Sequence, residues 1–198
     1  MRFFVENKEG SCSIRALSKR LKINYRIAYE KVKELEEKKV LRVEKLGNSN
    51  QCSFSPCFNE VIWRVEDQRR EELLKNPTLK VLYRRILEIQ NPFFICLLFG
   101  SYAKGTQTKH SDIDICVIAD PPEIQRKIEE TFRLLPDDFQ LQLFTTKEFI
   151  SMLQTTQPNV GKEIVKHNVI LKGAEAFYEV LCSLKKEYEK PKPTQKPT

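Results

Sequence analysis

The sequence predicts an α+β chain of two small domains joined by helices, and three observations carry that prediction. Residues 1–54 read as three short helices followed by two strands around a turn rich in Gly and Asn. The stretch Leu97-Leu98-Phe99-Gly100-Ser101, with Ser111-Asp112-Ile113-Asp114-Ile115 after it, reads as a buried strand, a tight turn and a second strand bearing two carboxylates. Between these regions Asn76-Pro77 and Asn91-Pro92 interrupt helical patterns. A chain of 198 residues suits one ordinary domain or two small ones. The reading adopted is two: 1–60, a helical linker over 61–91, a second domain over 92–190, and a disordered Pro- and Lys-rich tail over 191–198.

Arg2 to Asn7 opens as a short helix that ends at Lys8-Glu9-Gly10. Ser11 or Ser13 caps the next helix, where Ile14, Leu17 and Leu21 recur at helical spacing with Arg15, Lys19, Arg20 and Lys22 on the other sides. After a turn at Ile23-Asn24, a third helix from about Tyr25 to Lys38 buries Ala28, Val32 and Leu35 and leaves Tyr25, Arg26, Tyr29 and Lys33 elsewhere. A hairpin follows, with Gly47-Asn48-Ser49-Asn50 as its turn.

This order is that of a winged helix, and Ser13-Ile14-Arg15-Ala16-Leu17-Ser18 with Val32-Lys33-Glu34-Leu35-Glu36-Glu37 resembles the winged helix-turn-helix regulators of bacteria and archaea. The resemblance implies a third helix in the major groove of double-stranded DNA, with Tyr25, Arg26, Tyr29 and Lys33 facing it. The other reading is a protein-binding face. Residues 1–50 hold thirteen Lys/Arg against seven Asp/Glu, nearly all of the chain's net +7, which favours DNA.

In the linker, Val61, Ile62, Trp63 and Val65 are expected to pack between domains, Trp63 as an anchor. Glu66 to Lys75 reads as a charged helical stretch, and Thr78 to Gln90 as a further helix.

Phe93 to Phe99 is an apolar strand, and Gly100 lets the backbone turn tightly. Ser101 then sits where a helix N-cap belongs, so its hydroxyl and the following amides converge on an anion such as a triphosphate. Asp112 and Asp114 flank Ile113 and project from one strand face, with Cβ atoms roughly 6–7 Å apart. Ile113 and Ile115 face the core. Two such carboxylates can share Mg²⁺, or Mn²⁺, with phosphate oxygens. Lys104 either adds charge near those phosphates or is an exposed helical lysine.

The order of strand, Gly-Ser, short helix and Ser-Asp-x-Asp on a strand resembles the DNA polymerase β nucleotidyltransferase superfamily, especially its minimal nucleotidyltransferases, over about Phe93 to Lys172. The resemblance implies that Gly100 and Ser101 hold nucleotide phosphates and that Asp112 and Asp114 are the catalytic metal ligands. A third carboxylate belongs on a neighbouring strand. The candidate strand, Phe139 to Phe144, offers Gln140 and Gln142 instead.

The remaining elements are a helix over Pro121 to Leu135, the strand from Phe139, a helix capped at Thr146, a helix over Gly161 to His167, a strand over Asn168 to Leu171 and a last helix over Ala174 to Glu189. A βαβ crossover is implied.

Six cysteines without a CxxC pair, two of them in presumed core strands, suit reduced thiols and give no complete zinc ligand set. No run approaches membrane-spanning length, so a cytoplasmic protein is expected. The resemblance implies transfer of a nucleoside monophosphate, AMP from ATP, to a protein or nucleic-acid acceptor. It also implies an antitoxin role toward a HEPN-type protein partner, since some minimal nucleotidyltransferases modify such toxins. The competing reading is a DNA-binding regulator whose nucleotide-binding domain is weak or inactive, and the glutamine strand supports it.

Overall fold

The structure is a computed structural model that describes residues 1–135 and 138–189; the tail expected over 191–198 lies outside the described residues. The N-terminal unit comprises α1 (Arg2–Glu6), β1 (Ser11–Ser13), α2 (Ile14–Arg20), α3 (Tyr25–Glu37), β2 (Leu41–Leu46) and β3 (Ser49–Phe54). Ser13 Oγ accepts from the Ala16 amide at 3.1 Å and starts α2, and Asn24 Oδ1 accepts from the Arg26 amide at 2.8 Å and starts α3. Gly47, at φ +57°, and Asn48 close the hairpin, because Ser49 and Asn50 already pair with Leu46 and Lys45. The turn is thus two residues shorter than its composition suggests. β1 was not foreseen, since three residues are too few to show a strand period; it completes an antiparallel sheet of order β1-β3-β2. Leu21, read on the apolar stripe of the second helix, is the C-cap of α2 and 44% exposed.

The second unit contains β4 (Ile95–Phe99), α6 (Gly100–Lys104), β5 (Ile113–Ile118), α7 (Pro122–Arg133), β6 (Phe139–Phe144), α8 (Thr146–Gln154), α9 (Val160–Lys166), β7 (Val169–Lys172) and α10 (Ala174–Glu189). Its sheet has order β6-β5-β4-β7. β4 runs antiparallel to β5 and β7, while β5 and β6 are parallel and joined through α7, the expected crossover in a small mixed sheet. The cap of α8 is Thr145, not Thr146: Thr145 and Glu148 form a capping box. Among the described residues no helix is long and apolar enough to cross a membrane.

The segment read as a linker forms α4 (Glu60–Leu73) and α5 (Pro77–Glu88), and both pack on the second sheet. Leu79, Leu82 and Ile86 of α5 join Leu98, Ile113, Ile115 and Val117 in the core on one face. On the other face, Ile62 and Val65 of α4 belong to a core that runs without a break from Phe4, Leu17 and Val32 to Leu97, Cys116 and Tyr178. The two units therefore share apolar interior. The buried stripe of α4 is Ile62, Val65, Glu66 and Arg69, at i, i+3, i+4 and i+7. Trp63 lies off that stripe and is 50% exposed, so it does not anchor the packing.

Glu66 and Arg69, in a stretch whose composition reads as solvated, are buried as a pair. Arg69 donates to Glu66 at 2.6 Å and to the Asn168 carbonyl at 2.5 Å, and Tyr178 donates to the other Glu66 oxygen at 2.5 Å. Such charges are tolerable inside a protein because every partner is present.

Candidate active site

The site forms where β4 ends and β5 begins, with Phe99 paired to Asp114 across the antiparallel ladder. Gly100 follows at φ +68°, a conformation that favours glycine. A Cβ built on it would stand 2.0 Å from Asp114 Oδ2, so the turn is pressed against the carboxylate and only a residue without a side chain fits. The N-cap of α6 is Phe99 rather than Ser101, which lies in the first turn; its carbonyl accepts from the Thr106 amide at 3.0 Å. Gly105, at φ +69°, ends this five-residue helix.

Asp112 and Asp114 share the sheet face, with Asp112 exposed and Asp114 half-buried, while Ile113 and Ile115 point into the opposite core. Burial, then the neighbouring Asp112 charge, push the Asp114 carboxyl above the ordinary range. Thr108, which sequence reasoning passed over, meets Ser111 just before Asp112: the Thr108 amide donates to Ser111 Oγ at 2.8 Å.

The parallel register sets Gln140 opposite Asp114 and Gln142 opposite Cys116, two pairs deeper. Gln140 Nε2 donates to Asp112 Oδ2 at 2.6 Å. Of the two glutamines, Gln140 is therefore the one beside the carboxylates. Asp138 stands exposed just before β6, and its carbonyl accepts from the Ile113 amide at 2.7 Å.

Lys104 has its contact on another helix. Its ammonium reaches Glu163 at 3.4 Å, and it lines a cavity of about 510 Å³ with Arg2, Glu72, Tyr102 and His167, a lining that includes neither aspartate.

Among the described residues no three His, Cys, Asp or Glu side chains cluster as a metal site. Two coupled carboxylates with a neutral amide alongside suit Mg²⁺ in its usual form, bound by one or two carboxylates and completed by phosphate oxygens and water.

The residues expected to face DNA lie on α3, apart from this site. The Tyr25 and Tyr29 rings are 6.3 Å apart, and both side chains are exposed. Arg26 pairs with Glu30 at 3.0 Å and Lys33 with Glu36 at 2.7 Å, on their own helix. Counted over Tyr25–Glu37, Arg26, Lys31 and Lys33 face Glu30, Glu34, Glu36 and Glu37, a net charge of −1. The basic surplus sits instead on Arg15, Lys19, Arg20 and Lys22 and on Lys38, Lys39, Arg42 and Lys45.

No curated protein matches the chain. Among solved structures, a crystal structure of a toxin-antitoxin with AMP-PNP aligns at 22% identity and a TM-score of 0.33, covering 54% of this chain and 85% of that one. Residues 84–176, just under half of the chain and including Gly100, Ser101, Asp112, Asp114 and Gln140, match the family model for Polymerase beta, Nucleotidyltransferase.

Proposed function

We propose that the chain is a metal-dependent nucleotidyltransferase that moves AMP from ATP to a protein or nucleic-acid acceptor, and that its N-terminal unit is a winged helix-turn-helix that binds double-stranded DNA. The observation that carries the enzymatic part is the turn at Gly100 pressed onto Asp114, with Asp112 on the same face, inside the span that matches a nucleotidyltransferase. Asp112 and Asp114 would hold a Mg²⁺ or Mn²⁺ ion, which when bound would supply positive charge against the phosphates. The missing side chain at Gly100 makes room for the Asp114 carboxylate against the turn, and the first amides of α6, which have no partner within the helix, donate to phosphate oxygens together with the Ser101 hydroxyl. An acceptor hydroxyl attacks the α-phosphorus, one P–O bond forms as the bond to pyrophosphate breaks, and the acceptor proton passes to solvent or to a base on the acceptor. Gln140, a neutral amide, cannot take it.

The test is incubation with Mg²⁺ and ATP labelled on the α-phosphate, with duplex DNA, RNA and candidate protein partners of the HEPN type as acceptors. Label should enter one acceptor with wild type and none with Asp112→Asn plus Asp114→Asn. Label in no acceptor overturns the transferase reading. One observation favours a second reading, a DNA-binding regulator without chemistry: Gln140 donates into Asp112 where a third carboxylate is expected. On that reading the chain binds ATP and DNA and transfers nothing.

A further inference from the structure

The chain has six cysteines, and four of them are poor nucleophiles. Cys52, Cys96 and Cys116 are buried. Burial pushes the Cys52 thiol to about 11 and Cys116 to about 12, raises Cys96 further, and raises the partly buried Cys12 as well.

The remaining two face each other. Cys57 Sγ and Cys182 Sγ lie 3.2 Å apart although 125 positions separate them, and both residues are partly exposed. Cys57 stands between β3 and α4, and Cys182 on α10. Contacts on either side hold the two backbones in place. One turn before Cys182, the Tyr178 ring packs edge-on against Phe54 and stacks on Phe58, each centroid 6.0 Å away. About one turn after it, Lys185 donates to the Phe54 carbonyl at 2.6 Å. Tyr178, Cys182 and Lys185, at i, i+4 and i+7, thus form one stripe of α10 laid along residues 54–58. A disulfide needs its sulfurs at about 2.05 Å. From 3.2 Å the two sulfurs have about 1 Å left to close.

We propose that Cys57 and Cys182 are a thiol-modification site, a reversible disulfide that staples α10 to the segment leaving the N-terminal unit, formed by exchange with a low-molecular-weight disulfide of the glutathione class. One protein thiolate attacks a sulfur of that disulfide, forming a mixed disulfide and releasing one thiol. The second protein thiol gives its proton to solvent, and its thiolate attacks the protein-side sulfur and expels the other small thiol. Two protein thiols are oxidised and one small disulfide is reduced to two thiols. The bond closes a loop through most of the chain, from the end of the first sheet to the last helix, so the seam between the units becomes covalent.

The experiment uses the full chain, reduced and then treated with glutathione disulfide, denatured, capped with a maleimide and weighed intact. Six adducts are expected before treatment and four after, with no retained glutathione, a cross-linked peptide pair joining residues 57 and 182, and recovery of six adducts with dithiothreitol. The oxidised form should melt higher by roughly 5–10 °C. Cys57→Ser and Cys182→Ser should each hold glutathione as a mixed disulfide on the remaining partner. Wild type that keeps six adducts, that retains glutathione without a cross-link, or that cross-links another pair overturns the proposal, and each of these is read on wild type whether or not a serine variant folds.

Discussion

Gly100 stands so close to Asp114 that a Cβ at its position would lie 2.0 Å from Asp114 Oδ2. Gly100→Ala therefore meets two penalties, about 1–2 kcal/mol for a side chain in the left-handed region at φ +68° and displacement of the carboxylate. The variant should melt several degrees lower and lose nucleotide transfer at least tenfold. Adding Asp114→Ala removes the obstructing atoms, so the double variant should recover part of the melting temperature and none of the activity. Thermal melts and the labelled-ATP assay on the same three proteins check this; a single variant that matches wild type in both removes Gly100 from the site.

ATP binding should depend on divalent metal and on both aspartates. Without a cation, a triphosphate near Asp112 and Asp114 places like charges together, and attraction replaces repulsion only when the metal is shared. In calorimetry, EDTA, Asp112→Asn and Asp114→Asn should each weaken binding tenfold or more while the melting temperature holds. Equal affinity with and without EDTA would sink the metal-site reading.

The Lys8 ammonium nitrogen is buried without a hydrogen-bond partner, and burial pulls its pKa from 10.5 down to about 8 despite Glu66 nearby. The unfolded chain thus binds more protons at this residue between pH 8 and 10.5, so the contribution of Lys8 to stability rises with pH across that window. Below pH 8 the penalty is fully present. Lys8→Met should stabilise at pH 7, on the order of 1–3 kcal/mol, and the gain should shrink as pH climbs past 8. Denaturant melts of both proteins at pH 7, 8.5 and 10 measure it, and a gain that does not vary with pH would point to packing alone.

What the sequence discloses follows the range over which each signal acts. Ala28 and Val32 show themselves through helical period, Ile113 and Ile115 through strand alternation, and the two aspartates through spacing, because each depends on neighbours a few positions away. Glu66 and Arg69 were illegible because their partners Tyr178 and Asn168 lie 112 and 99 positions on, and charge without visible partners reads as solvated. Trp63 misleads for a simpler reason: the buried stripe of α4 passes beside it. Gln140 and Gln142 share a face by the two-residue period, and only the register against β5 separates them. Lys104 sits one turn from Gly100 in sequence and pairs instead with Glu163, on a helix that sequence alone does not bring near.

If α3 reads DNA, its acidic residues must be held off the phosphates. Arg26→Ala plus Lys33→Ala should weaken duplex binding and lower the salt slope by about 2 if each contacts one phosphate. Glu30→Gln plus Glu36→Gln should strengthen it, since Arg26 and Lys33 are then released from ion pairs of 3.0 and 2.7 Å. Fluorescence anisotropy on the full chain across a salt series reads both. No response to either pair would assign the exposed Tyr25, Ile27 and Tyr29 surface to a protein partner instead.

Gln140 decides how much chemistry the site can do. Its amide donates to Asp112 at 2.6 Å and faces Asp114 in register; on the proposed transferase reading it takes the place of a third carboxylate, and a neutral amide cannot accept the acceptor's proton. Losing a positioned base commonly costs on the order of 10²–10⁴ in rate, so wild type should transfer slowly. Gln140→Asp replaces the donor with a base and should raise turnover on the order of 10², with a rate that climbs with pH as the new carboxyl ionises. It also sets a third negative charge against Asp112 and Asp114, so the metal-free variant should melt below wild type and gain more from added Mg²⁺. Gln142→Asp is the control, since Gln142 stands opposite Cys116, two residue pairs along from Asp114, and should not raise turnover. Asp138→Asn should lower the wild-type rate only if Asp138, exposed beside the start of β6, already serves as the base. Brisk wild-type turnover that none of the three substitutions alters would overturn this account of the proton transfer. Undetectable transfer by wild type and Gln140→Asp alike, with ATP binding intact, would leave the regulator as the standing function.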